Sequence, residues 1–194
     1  MKNKRGLLLI YSGIVLIVAA AVLTGKNLYE STRAAVAVEQ VTQQMHIQPA
    51  VQQPLYVTHP EIEMPTEEID GNSYIGLVEI PSLQLQLPVI SQWSDLRLKT
   101  APSRYTGSVY MDDMIIAGHA YKKHFGQLKK LSAGDTVIFT DIDGNVFEYT
   151  VSLKEVLPPQ AVADMLAGEW DLTLFTCTTD ASHRLTIRCE RVEK

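Results

Sequence analysis

Residues 171–189 read DLTLFTCTTDASHRLTIRC, and the fold is decided here. Residues 172–177 and 184–192 are short apolar runs without helical spacing, and a polar loop at 178–183 separates them. Each run reads as a strand, so the pair is expected to close the chain as a hairpin.

The same pattern extends upstream. Residues 74–80 (YIGLVEI) form one candidate strand. Leu83, Leu85 and Leu87 alternate with Gln84 and Gln86, the period of a half-buried strand. Residues 114–117 make a short buried strand that ends at Gly118-His119. Residues 136–140 and 146–153 flank DIDGN, whose Asp143-Gly144 suits a tight hairpin turn. Helical signals are confined to residues 125–131 and 161–166. Many short strands separated by turn signals, with one or two short helices, favour a small closed β-barrel.

Ahead of this domain lies a different composition. Lys2, Lys4 and Arg5 precede the uncharged run GLLLIYSGIVLIVAAAVLTG at residues 6–25. Twenty residues at about 1.5 Å each match the roughly 30 Å hydrocarbon core of a bilayer. Basic residues before the run place the N-terminus in the cytoplasm and the remainder outside. A cleaved signal peptide is the competing reading, with small residues at 19–21 and 34–37 as possible cleavage sites. The expected layout is a cytoplasmic 1–5, a transmembrane anchor 6–25, an extracellular stalk 26–72 and a domain 73–194. Within the stalk, residues 27–44 can continue as helix. Beyond Pro49 the prolines 54, 60 and 65 and repeated Gln and Glu favour an extended spacer with no chemistry of its own.

Charge excludes one class of partner. The formal net charge is −5, and residues 73–194 carry 12 Lys and Arg against 15 Asp and Glu. No basic stripe is left to bind nucleic acid.

Chemistry is concentrated around Cys177, which ends one strand and faces a polar loop. A free cysteine there is either a small core residue or a reactive thiol. A reactive thiol requires a nearby cation and a proton donor for the leaving amine. His46 and His59 fall in the stalk, and His124 lies in the polar YKKHF loop. His183 and Arg184 are adjacent, so they point to opposite faces of a strand. His119, at the end of an apolar strand, is the best placed histidine. If the last two strands pair, Arg184 lies across from Cys177, where a guanidinium can hold an oxyanion. Arg188 has the same parity but sits two pleats further, roughly 13 Å away, and reads as structural or surface. The same register sets Cys189 near Leu172, roughly 17 Å from Cys177, too far for a disulfide.

These residues resemble the sortases. TLFTC at 173–177, AGH at 117–119, an arginine opening the next strand and HFGQLKKLSAGD at 124–135 carry the resemblance, which spans roughly residues 74–192. It implies an eight-stranded β-barrel with a Cys–His–Arg site. In that family pattern Cys177 attacks the scissile carbonyl, His119 protonates the leaving amine, and Arg184 stabilises the oxyanion. Thr176, Ala117 and Gly118 would contact the substrate. The implied partners are secreted proteins bearing an LPxTG-like C-terminal sorting motif, and an amine acceptor from a peptidoglycan precursor or a pilin lysine. No cofactor is implied; calcium is left open, since some sortases bind it. Asp141, Asp143 and Asn145 begin like a calcium loop, but Val146 stands where glycine is needed. Asp112 and Asp113 read as surface acids or as neighbours of the site.

Two departures bear on substrate choice. The loop at 178–183 is short for the family, and residues 158–170 occupy the connection that usually contacts the sorting motif. Two other functions fit the residues: a cell-wall cysteine endopeptidase or amidase, and a membrane-tethered β-domain without catalysis.

Overall fold

The computed structural model describes residues 2–50, 52–168, 170–178 and 181–192. A long helix α1 (Lys2–Gln44) precedes nine strands: β1 (Glu67–Ile69), β2 (Asn72–Ile80), β3 (Leu85–Ile90), β4 (Ser103–Thr106), β5 (Met114–Gly118), β6 (Thr136–Asp141), β7 (Val146–Leu157), β8 (Leu172–Cys177) and β9 (Arg184–Arg191). A short helix α2 (Val162–Leu166) lies between β7 and β8.

Eight of the strands close a ring in the order β2-β3-β4-β5-β8-β9-β7-β6, and β6 pairs back onto β2. Strand β1 stands outside the ring as a hairpin partner of β2. Closure leaves the ring strands themselves without a free edge. At the seam Gly76 pairs with Asp141 at φ +148°, beside a register shift in β2. A side chain there would run into the Thr140 carbonyl, so glycine lets the two backbones meet.

Alternation fills the barrel. Val137 and Phe139 of β6 and Phe147, Tyr149 and Val151 of β7 are buried, with half-buried or exposed residues between them. Strand β5, between β4 and β8, departs from this alternation and is buried along its whole length. Both β3–β4 and β5–β8 are parallel pairs. The second brings the C-terminal ends of β5 and β8 to one rim of the barrel.

Local structure departs from the sequence reading at β4, which no candidate strand covered, and in three further places. Leu83 closes a 3-10 turn (Pro81–Leu83), and Gln84 takes φ +50°, so the strand starts at Leu85. Residues expected as helix at 125–131 form a 3-10 segment (Phe125–Lys130). The third concerns the spacer expected at 26–72, which is packed onto the barrel. Ala34, Val38 and Val41 are buried at helical spacing, and Met64 and Ile69 are buried in the core. Tyr56 stacks on Tyr110 with centroids 4.5 Å apart. These apolar residues are sparse in a Gln-, Glu- and Pro-rich stretch, so they form no continuous pattern although each finds a site on the barrel.

The N-terminal half of α1 is apolar and exposed from Leu7 to Leu23, and this helix is long and apolar enough to cross a membrane.

Candidate active site

Three strand ends converge at the rim. In the β5–β8 ladder Gly118 is level with Thr176, so His119 and Cys177 emerge side by side from adjacent parallel strands. In the β8–β9 ladder Cys177 is paired with Arg184. The Arg184 Nη1 donates to the Cys177 sulfur at 3.3 Å. Cys177 is half-buried and free, in contact with solvent yet held beside a permanent cation.

Approach of His119 depends on its neighbours. A Cβ on Gly118 would lie 2.5 Å from the buried Phe125 ring, so glycine lets the β5 end settle onto that ring. The His119 ring lies 4.8 Å from Tyr121, which in turn meets His124 at 5.5 Å. Burial lowers the His119 pKa and Lys99 adds to the effect, while Asp95 and Glu30 oppose it. Its Nε2 is buried and has no hydrogen-bond partner among the described residues. His124 lies in a turn, as its loop reading expects, but it is fully buried there rather than solvated. Burial pushes its pKa down to about 4, with the Ala34 backbone of α1 opposing the shift and His119 reinforcing it.

Between these groups lies a cavity of about 260 Å³. Ala117, Gly118 and Thr176 line it beside Cys177, His119 and Arg184. Every sequence-derived site residue therefore borders one cavity. The Thr176 hydroxyl is buried and unpartnered among the described residues. One wall is aromatic: Trp93 meets Tyr105 edge-on at 5.7 Å, and Tyr105 meets Phe175 edge-on at 5.5 Å. The other comes from the β7–β8 connection through Pro158, Ala161, Val162 and Met165.

Sequence reasoning missed Trp93, Asp95, Lys99 and Tyr105. Their signal was a tryptophan within the polar SQWSD stretch at 91–95, an unusual residue for a solvated loop. Residues set aside on sequence grounds occupy other places. His183 is exposed and bonded to Ser182 at 2.7 Å. Asp112 pairs with Arg191 at 2.8 Å, and Asp113 accepts from the Ser108 N–H at 2.8 Å. Asp141 is buried and accepts from Tyr110 and Asn145, which makes 141–145 a braced hairpin turn. Cys189 faces Leu172 in the ladder; it is fully buried, and burial pushes its thiol up to about 12. Arg188 is buried rather than at the surface.

Residues 78–192 match the sortase domain family model. Sortase A of Bacillus anthracis is 28% identical over 201 residues, covering 92% of each chain. Among solved structures, sortase C1 of Streptococcus agalactiae aligns with a TM-score of 0.57 at 24% identity, over 84% of this chain and 88% of its own. Sortase A of Corynebacterium diphtheriae aligns at 0.56 and 19% identity, over 91% and 96%. Both structural likenesses bear on the fold.

Proposed function

The chain belongs to the sortase family of cysteine transpeptidases, and on that premise we propose that Cys177, His119 and Arg184 cleave and transfer a peptide through a thioacyl enzyme. The observation that carries this reading is the convergence of the three side chains on one cavity, with Arg184 3.3 Å from the sulfur.

The Cys177 thiolate adds to the scissile carbonyl, and the carbon–oxygen π electrons move onto oxygen. Arg184 is already beside the sulfur, so its guanidinium donates to the developing oxyanion. Collapse of the adduct breaks the C–N bond, and the amine leaves with a proton from the His119 imidazolium. Its lowered pKa makes that imidazolium a stronger acid. A second amine then attacks the thioester, gives its proton to neutral His119 and releases the thiolate. Thr176, Ala117 and Gly118 line the cavity in which the peptide would lie. An aromatic wall and an aliphatic wall suit a short peptide with apolar side chains, as an LPxTG-like motif has.

The peptide donor in this reading is a secreted protein with a C-terminal sorting signal. Its acceptor is an amine on a peptidoglycan precursor or a pilin lysine. Helix α1 anchors the enzyme through residues 6–25, with the basic N-terminus in the cytoplasm and the barrel outside.

Intact-mass analysis of the full chain in detergent, mixed with LPxTG-like peptides, tests the covalent step. The expected result is an acyl adduct equal to the N-terminal peptide fragment, absent in Cys177→Ala. Cleavage without any adduct, or an adduct that persists in Cys177→Ala, would overturn it.

A further inference from the structure

Arg188 follows Arg184 by four residues on β9 and has the same strand parity, yet its side chain is only 3% exposed. All of its guanidinium nitrogens are engaged. Nε donates to Glu155 at 2.8 Å. Nη1 donates to the Met165 carbonyl at 2.8 Å and to the Thr173 hydroxyl at 3.1 Å. Nη2 donates to the Asp164 carbonyl at 2.6 Å. One side chain on the barrel thus joins β7, β8 and α2.

The two backbone acceptors lie in α2, where the last carbonyls of a helix have no partner within it. A five-residue helix is too short to persist alone. Val162 and Leu166 are about half exposed, so Met165 is the one side chain of α2 that is fully packed. Besides Arg188, the side-chain hydrogen bond from barrel to α2 among the described residues is a weak one, Thr186 to the Met165 sulfur at 3.9 Å. Val162 and Met165 line the cavity beside Cys177.

We propose that Arg188 is a positioning residue that clamps α2 to the barrel and thereby fixes the aliphatic wall of the peptide cavity. It does not touch the reacting atoms. The wall it holds faces bound peptide, so its loss weakens peptide binding and leaves the nucleophile intact. Glu155 keeps the guanidinium oriented. The proposal rests on the reading of that cavity as a peptide site.

Full-length Arg188→Met, Arg188→Lys and Glu155→Gln in detergent test it with three readouts. These are KM and kcat on a cleaved LPxTG-like peptide, the iodoacetamide alkylation rate of Cys177, and amide hydrogen exchange over residues 158–171. For Arg188→Met the expected result is a KM raised about tenfold with kcat little changed. Alkylation stays at the wild-type rate, and exchange accelerates in α2 while the core amides of β8 and β9 stay protected. Arg188→Lys recovers part of the KM loss, and Glu155→Gln shows a smaller loss of the same kind. Unchanged KM, a fall in kcat alone, or unchanged α2 exchange overturns the proposal. If Arg188→Met fails to fold, Arg188→Lys is judged on the same readouts. A wild-type chain that cleaves no sorting peptide defeats the reading of the cavity as a peptide site instead, and the exchange measurement still decides the clamp.

Discussion

Arg184 and Cys177 are a directly opposed pair in the β8–β9 ladder, and the guanidinium donates to the sulfur across it at 3.3 Å. A rigid ladder holds both groups, so in the proposed mechanism little reorganisation is needed as the oxyanion develops. Arg184→Met is expected to lower kcat/KM by about 10²–10³-fold, the range for loss of one oxyanion donor. Arg184→Lys keeps the charge but loses the planar fork, so it should fall between the two. Steady-state kinetics on one peptide, with iodoacetamide alkylation of Cys177 alongside, checks this; a Met variant with wild-type activity contradicts it.

In the proposed mechanism His119 acts as an imidazolium, so activity should be lost as pH rises through its pKa. Lys99 lowers that pKa and Asp95 raises it. Lys99→Met should therefore move the basic limb of the kcat/KM profile to higher pH, and Asp95→Asn to lower pH. Both shifts should shrink as salt screens the charges. Profiles at two ionic strengths test the signs, and a shift in the opposite direction for either variant refutes the assignment.

Buried His124 couples stability to acid. Its folded pKa is about 4, below the usual 6.5, so between those values the unfolded chain binds more protons than the folded one. Stability is then undiminished above pH 6.5 and falls as pH drops towards 4. His124→Gln should remove up to ~3 kcal/mol of that loss. Urea unfolding at a series of pH values measures it. Parallel curves for wild type and variant contradict it.

Gly118→Ala tests the seat of His119. The added methyl would enter the Phe125 ring space, and a fully buried ring in a packed core can yield little. We expect a loss of about 1–3 kcal/mol in stability together with a drop in kcat, since His119 is displaced with the strand end. The double variant Gly118→Ala/Phe125→Leu should recover part of both.

The strands that carry the site were legible because their signals are local. LTLFTC and its partner RLTIRC fix a hairpin, and parity along that hairpin already sets Arg184, rather than Arg188, opposite Cys177. The same register separates Cys189 from Cys177, and both thiols are free. What escaped the sequence is non-local. Nothing in YKKHF announces that His124 is buried with the Ala34 backbone of α1 beside it, because Ala34 is ninety positions upstream. Arg188 read as a surface or structural residue because its partners, Glu155 and the α2 carbonyls, lie on other elements. Val38, Val41 and Met64 were hidden in a polar stretch, and their burial depends on a barrel that exists only once the later strands have closed.

Product analysis by mass spectrometry tests the central claim most directly. The full chain in detergent is incubated with a cleavable LPxTG-like peptide and a series of amine acceptors, including triglycine and a lysine-containing peptide. The expected result is an amide joining the N-terminal peptide fragment to the acceptor amine, lost in Cys177→Ala and His119→Ala and strongly reduced in Arg184→Met. Hydrolysis alone with every acceptor, or transfer that survives Cys177→Ala, would contradict the account.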